Sequence, residues 1–277
     1  MKKITKAMQM ISAIKMRKAQ AEAIEGRPYL ETLTEMIQKV TQRVDVSHSP
    51  LLQVRPDAKE KRLVIFVSSN KGLAGTFHTN LARFLFKQIE LEKCDFLAVG
   101  KKGATLVNGA GGTVIAEYSE KYPVTAASAV FELALKKFLS GDYNQVSVVY
   151  NKFISTLRSE TVEEVLLPFK LEIRSKDEIA SPVERARNDN TGEYLIEPSA
   201  AEIIEPLLKS YIEEKIRGAM MNSEAVEHSA RMIAMKNATD NANDVIYNLT
   251  LLGNKIRQGK ITGELLDMIT AKESVEV

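Results

Sequence analysis

The chain has no tryptophan, a single cysteine and few other aromatic residues among its 277 positions. One cysteine, Cys94, excludes an internal disulfide and any zinc site built on cysteine, and it reads as a small buried hydrophobe. A compact enzyme core of this length carries more aromatic residues, whereas elongated, helix-rich chains carry fewer. There is no secretory signal and no apolar run near the ~20 residues needed to cross a bilayer, so a soluble chain in a reducing compartment is expected. Neither sign of charge dominates. Lys and Arg number 38 against 36 Asp and Glu, which gives no reason to expect a nucleic-acid partner. The three histidines, His48, His78 and His228, form no metal-binding cluster, and no Ser-His-Asp or paired-carboxylate constellation is legible. Composition points away from bond chemistry, and neither metal nor cofactor is expected.

What the sequence does have is helical periodicity at both ends. In the segment from Lys2 to about Val46, residues Leu30, Leu33, Ile37, Val40 and Val44 alternate in threes and fours, the spacing of a coiled-coil seam. Upstream, Ile4, Met8, Ile11 and Met16 make a looser stripe. Gly26-Arg27-Pro28 predicts a kink or short break. The same segment is basic and free of acid until Glu22, with Lys2, Lys3, Lys6, Lys15, Arg17 and Lys18. Three readings are open: an organellar transit peptide, a solvated helix face, or a basic collar for an acidic partner surface. The lysine-rich balance and the uninterrupted helix weigh against the first.

Pro50 and Pro56 mark a linker between Ser47 and Lys61. Strands then alternate with helices. The apolar runs Leu63–Val67, Phe96–Val99, Val114–Ala116 and Val146–Tyr150 read as strands, and a further strand is expected within Glu163–Ile173. Helices are expected over Thr79–Glu92, around Thr105 and over Ala126–Leu139. This order predicts an α/β sandwich with a mainly parallel sheet, followed by a charged loop over Ser175–Thr191. The first strand ends in Asn70-Lys71-Gly72-Leu73-Ala74-Gly75. A phosphate loop needs Lys and Ser or Thr directly after its last glycine, and here Lys71 precedes both glycines, so a tight strand-to-helix turn is the better reading. Gly109–Gly112 reads as a turn for the same reason.

Ser199-Ala200-Ala201-Glu202 is a capping box, and Pro206 suits the first turn of a new helix. From Pro206 to about Thr270 the pattern predicts one helix of about 65 residues, ~98 Å long. That is too long for a domain core. Its only candidate partner is the N-terminal helix, of about 44 residues and ~66 Å. The expected fold is α/β plus long helices: an antiparallel coiled coil of the chain ends, with an inserted Rossmann-like α/β domain. The expected divisions are 1–46, 62–196 and 199–271, with the C-terminal helix overhanging its partner. Ala230, Ala234, Ala238 and Ala242 recur every fourth residue, where a helix built only for stability would carry Leu or Ile. Such a stripe admits a very close helix neighbour or a sliding surface. Glu224 and His228 read as a surface pair one turn apart. At the far end, Arg257 and Gln258 offer several donors on a stretch with no partner at that level.

Two dense motifs at opposite ends carry a family resemblance. Ile4-Thr5-Lys6-Ala7-Met8, Lys15-Met16-Arg17-Lys18-Ala19-Gln20 and Arg27-Pro28-Tyr29 resemble the N-terminal helix of the gamma subunit of bacterial F-type ATP synthases. Glu227–Ala242, Asn254–Gln258 and Ile261-Thr262 with Glu264-Leu265 and Asp267 resemble its C-terminal helix. Some positions depart from the family pattern. Met1 stands almost on the first motif, where the family carries a longer lead, so a late start codon or a truncated N-terminus is expected. Gly259 stands where Ala is usual, Ala271-Lys272 where Gly-Ala is usual, and Asn70 where an acid is usual. No insert with a regulatory cysteine pair is present.

The resemblance implies a rotor. The helix pair would turn inside a ring of alpha and beta subunits, with its foot on the membrane c-ring and the epsilon subunit alongside. It would be peripheral, at the cytoplasmic face of the bacterial inner membrane. Rotation of the asymmetric shaft would drive the nucleotide sites of the ring through different states, while the gamma subunit itself binds no nucleotide. Contacts with the ring are implied at Met8, Lys15, Arg231, Lys255, Arg257, Gln258, Thr262 and Glu264. Two other classes compete: a Rossmann-like nucleotide-using enzyme with helical dimerisation arms, and a coiled-coil scaffold. The first lacks a phosphate fingerprint and an acidic ribose ligand. The second predicts Leu-rich seams throughout, against the alanine stripe.

Overall fold

The computed structural model describes residues 2–41, 49–52, 61–120, 122–169, 197 and 199–275. Helix α1 (Lys2–Glu25) and helix α2 (Arg27–Thr41) are separated only at Gly26, where Gly26 N donates to Glu22 O and Leu30 N to Gly26 O, both at 3.2 Å. The expected break is there, but the helical ladder almost bridges it. Val44, His48 and the Ser175–Thr191 loop lie outside the described residues.

Five strands follow, β1 (Arg62–Val67), β2 (Cys94–Val99), β3 (Thr113–Tyr118), β4 (Gln145–Ser155) and β5 (Arg158–Leu167), in the order β3-β2-β1-β4-β5. The first four are parallel, and β5 returns antiparallel to β4 as a hairpin. The last strand therefore starts five residues before the expected Glu163. Its Arg158–Thr161 stretch is polar because it lies at the sheet's edge, so apolar runs alone could not reveal it. Between strands come α3 (Phe77–Gln88), α4 (Lys101–Gly109) and α5 (Ala127–Leu139). Helix α3 begins and ends earlier than expected, and Leu91–Lys93 forms a separate 3-10 turn.

The strands of the parallel core alternate between two cores, as a pleat with period two requires. Leu63, Ile65 and Val67 face one side with Ile37 and Val40 of α2, Val130 and Phe138 of α5, and the start of the last helix. Val64 and Phe66 face the other side with Phe77, Leu81 and Leu85 of α3 and Val107 of α4.

Helix α6 (Ala200–Val275) is continuous for 76 residues, about 114 Å. It starts at Ala200, not at Pro206. The capping box sets this boundary: Glu202 N donates to Ser199 Oγ at 3.3 Å, and Ser199 Oγ donates to Glu202 Oε1 at 3.0 Å. Pro206 sits inside the helix and costs it one backbone donor. The cost is tolerated because Ile204, Leu208, Ile212 and Ile216 bury one face of this stretch in the first core. Salt bridges from Glu205 to Lys209 and from Glu164 of β5 to Lys215 flank it.

Helices α1 and α6 run antiparallel and share the most extensive contact between any two elements. Thr239 Oγ1 donates to Thr5 Oγ1 at 2.7 Å, whereas at the other end Gly26 abuts Glu214 and Leu30 abuts Gly218. The buried positions of α1 are Ser12, Met16 and Ala19. The expected stripe is thus corrected: Met16 is in the seam, but Ile4, Met8 and Ile11 are exposed. Thr5, Ser12, Met16 and Ala19 keep the spacing of a seam, and the small side chains of Thr5, Ser12 and Ala19 let the two helices close. Ile4, Met8 and Ile11 are left outside.

Candidate functional site

From Asp244 onward helix α6 has no partner among the described residues. From Asp244 to Ala271 every residue except the half-buried Gly263 is exposed. Counted from Asp244, about 48 Å of helix projects past the start of α1. Large apolar residues on it, among them Val245, Leu249, Leu252, Ile256, Ile261, Leu265 and Ile269, are at least half exposed. They surround the helix instead of lining one face. An exposed apolar surface of this kind marks a site of association.

The expected contact residues divide into three places. Lys255, Arg257, Gln258, Thr262 and Glu264 all stand on the projecting helix and are exposed. Lys255, Gln258 and Thr262 share one face at spacings of three and four, with Arg257 and Glu264 together on the opposite side of the helix. Thr262 Oγ1 donates to the Gln258 carbonyl at 2.9 Å, and Glu264 pairs loosely with Lys260 at 3.8 Å. Met8 and Lys15 lie on the outward face of α1. Since Thr5 is level with Thr239, they are about 24 Å or more below Lys255 along the axis. The structure therefore does not bring the two groups together.

Arg231 differs from all of these. Its side chain is 11% exposed, and its donors turn inward. Nη2 donates to Glu227 Oε1 at 2.5 Å, to Gly72 O at 3.2 Å and to Lys71 O at 3.4 Å, while Nε reaches Gly72 O at 3.4 Å. Nη1 stands 3.1 Å from Nδ1 of His228, whose Nε2 is 3.5 Å from Glu224 Oε1. His228 is buried, so the Glu224–His228 pair is an interior one and not the expected surface pair.

The turn that Arg231 grips is itself braced. Ser69 Oγ donates to Lys71 O at 2.9 Å, and His78 Nε2 lies 3.3 Å from the same carbonyl. Burial holds the His78 imidazole below its ordinary range, although the Lys71 carbonyl partly opposes this. Asn70 Nδ2 donates to Glu120 O at 2.7 Å, and Lys101 N donates to Asn70 Oδ1 at 3.0 Å. Gly100 has φ +93°, and a Cβ there would fall 2.8 Å from the Ser69 backbone, so only glycine fits beside the turn.

This turn lies at the C-terminal end of β1, where the strand order reverses between β1 and β4. In open α/β sheets such a switch point is the usual nucleotide crevice. A phosphate cradle presents converging N–H groups. Here two carbonyls, of Lys71 and Gly72, converge on a guanidinium supplied by α6. The crevice is closed by the chain itself, which counts against the nucleotide-using alternative.

The first half of the alanine stripe is also placed differently from the expectation. Ala230 and Ala234 face this turn and not α1, since a Cβ on Gly75 would lie 3.4 Å from Ala230 O and 3.6 Å from Ala234 Cβ. They line a groove of about 210 Å³ between α6, the turn and the β4–β5 hairpin, with Phe153, Leu157 and Ile233. Sequence reasoning missed the Arg231 network. The four-residue spacing of Glu227 and Arg231 was visible, but the partner carbonyls lie about 160 positions away.

Three comparisons bear on this architecture. The ATP synthase family model matches residues 1–275. The chain is 36% identical over 99% of its length to the ATP synthase gamma chain of Clostridium perfringens, and 34% identical over 99% to that of Akkermansia muciniphila, covering 93% of each. Among solved structures it is similar to a chain of the central stalk/c-ring of the Tetrahymena thermophila mitochondrial ATP synthase, with TM-score 0.60, 22% identity and 85% and 99% of the two chains covered. It is likewise similar to a chain of the Euglena gracilis mitochondrial ATP synthase, with TM-score 0.59, 16% identity and 96% and 94% covered. The likeness in structure is one of fold, while the sequence identity runs through both helices and the inserted sheet: the chain belongs to the ATP synthase gamma chain family.

Proposed function

We propose that this chain is the central-stalk rotor subunit of an ATP synthase, coupling ion flow through the membrane sector to ATP synthesis or hydrolysis in the ring of alpha and beta subunits. It is a non-catalytic subunit. The observation that carries the reading is the single helix that projects about 48 Å past its antiparallel partner, apolar on all sides. A helix embedded on one face of a protein would be amphipathic, whereas a shaft inside a sleeve meets a wall in every direction. The proposed divisions are a shaft of 1–46 and 199–271 and an α/β domain within 62–196. The tip residues Lys255, Arg257, Gln258, Thr262 and Glu264 then face the upper wall of the ring, and Met8 and Lys15 face its lower rim. The α/β domain remains outside the ring, near the epsilon subunit and the c-ring. No described helix is long and apolar enough to cross a membrane, in keeping with a subunit peripheral to the cytoplasmic face of the bacterial inner membrane.

The test is reconstitution with alpha and beta subunits. Addition of this chain is expected to convert them into a complex whose ATP hydrolysis turns a probe attached to the α/β domain. Hydrolysis that proceeds without rotation of that probe would refute the assignment.

A further inference from the structure

We propose that Arg231 is the positioning residue that locks α6 to the turn after β1 and thereby fixes the angle at which the shaft leaves the α/β domain. The inference rests on the rotor reading and goes beyond it. Near this level α6 leaves the cores of the α/β domain, keeping a hydrogen bond from Ser229 Oγ to Thr156 O at 2.6 Å and, higher up, the buried Met235 and Thr239. Val226 is its last fully buried residue in the second core, with Ala230 half-buried against it, and from Asp244 onward the helix is exposed apart from Gly263. Between these points the side of α6 toward the turn offers Ala230 and Ala234, which pack closely on Gly75 but give little lateral grip. Among the described residues, the polar side chain of this stretch that reaches the turn after β1 is Arg231, joined to two successive carbonyls, of Lys71 and Gly72.

Both sides of the contact are rigid. Glu227 aligns the guanidinium from one turn earlier on α6. On the other side, Ser69 and His78 hold the Lys71 carbonyl, and Asn70 ties the turn to the ends of α4 and β3. Leu73, at φ +60° and largely exposed, is a left-handed leucine within this turn. Such a conformation persists where the surroundings over-determine it. Position 231 also lies far below the tip. About 66 Å of helix lies between Arg231 and Val275, so a tilt of about 5° at the latch displaces the tip by about 6 Å.

The experiment uses the complete ATP synthase in sealed vesicles and reads the ratio of ions taken up to ATP hydrolysed. If the wild-type chain supports no coupled uptake, the rotor reading itself fails. If it does, Arg231→Ala is expected to lower the ratio at least about threefold, since a charge-assisted contact is lost. Arg231→Lys, which keeps one donor and the charge, is expected to lie between the two, and it supplies the reading if the alanine variant does not assemble. A cross-link separates positioning from mere folding. Gly75→Cys with Ala234→Cys, made in the Arg231→Ala chain, places two Cβ atoms near the 3.6 Å separation seen here, which suits a disulfide. Oxidation is expected to restore the ratio and reduction to lower it again. An unchanged ratio in both Arg231 variants, or an oxidised cross-link that leaves the ratio low, overturns the proposal.

Discussion

Replacing both Arg257 and Gln258 by alanine separates contact from folding. In the structure both side chains are exposed on the projecting part of α6, and neither has a hydrogen bond or ion pair among the described residues. Only the Gln258 backbone carbonyl is used, by Thr262, and that survives the change. Alanine is the best helix former, so two such replacements shift the helix by only a few tenths of a kcal/mol, in the favourable direction. Exposed substitutions of this kind usually stay within ~0.5 kcal/mol. The free chain should therefore keep its circular dichroism and melting temperature. In the assembled complex the account differs, because a hydrogen bond to a charged group in a partly desolvated contact is worth about 1.5–3 kcal/mol. Loss of even one such bond corresponds to about a tenfold fall in coupled turnover if it is made only at the rate-limiting angle. The assay is ATP-driven rotation of the reconstituted complex beside a thermal melt of the free chain. Wild-type rate and torque in the double variant would show that this level of the shaft is a passive bearing. A large drop in the melting temperature would instead show that the tip is bound within the chain.

Further expectations follow from the α/β domain and the seam. Gly100→Ala puts a Cβ 2.8 Å from the Ser69 backbone at a φ of +93°, and is expected to cost about 2–6 kcal/mol from strain and overpacking together, read as a melting temperature lower by several degrees. Ala19→Leu overpacks a buried seam position and is expected to cost about 1–3 kcal/mol, whereas Ala234→Leu extends into the open groove and should cost less than about 1 kcal/mol; equal losses would show that the stripe and the seam are one surface. His78 has its folded pKa lowered, by burial first, so the unfolded chain binds the proton more readily; stability is complete above about pH 6.5 and is lost as pH falls through the folded value. Melts at pH 7.5 and 5.5 should show this loss, and His78→Gln should reduce it.

The long helices and the alternation of strands and helices were legible because they rest on local periodicity. Leu33, Ile37 and Val40 lie in the core as their spacing requires. What the sequence hid was always a choice between faces. Ile4, Met8 and Ile11 form as good a stripe as Thr5, Ser12, Met16 and Ala19, and hydrophobicity alone selects the wrong one. The seam chosen is the one whose side chains are small enough for α6 to approach, a property of the pair and not of either helix. The alanine stripe on α6 was legible as a site of close approach, but its partner is Gly75, over 150 positions earlier, and no local pattern links the two. Pro206 misled for a related reason. Its intrinsic cost of about 3 kcal/mol is real, but the apolar face from Ile204 to Ile216 outweighs it. The candidate tip was legible as a polar cluster without a partner, while the Arg231 latch was hidden because its acceptors are backbone carbonyls, which carry no signature in sequence.

The distribution of side chains along the shaft explains how one chain can be both stable by itself and able to turn in a sleeve. Burying a large aliphatic side chain contributes about 1.5–3 kcal/mol. The projecting helix leaves eleven of them and Tyr247, from Val245 to Ile269, in solvent, so it obtains none of the packing that normally supports a helix. The stability of the chain must come from below, where α6 buries Ile204, Leu208, Ile212 and Ile216 against the sheet and closes on the small residues of α1. That division has a mechanical consequence. A shaft whose large apolar groups point outward in all directions makes contacts of similar strength at every angle, which suits a bearing. On the proposed assignment, directional contacts come from polar groups interrupting that surface, Lys255, Arg257 and Gln258 at the tip among them. Torque needs both parts: a smooth apolar surface that costs little to turn, and sparse charged groups whose contacts change with angle. The closed crevice of the α/β domain fits the same logic, since a nucleotide bound there would displace Arg231 and release the shaft from the body that has to turn it.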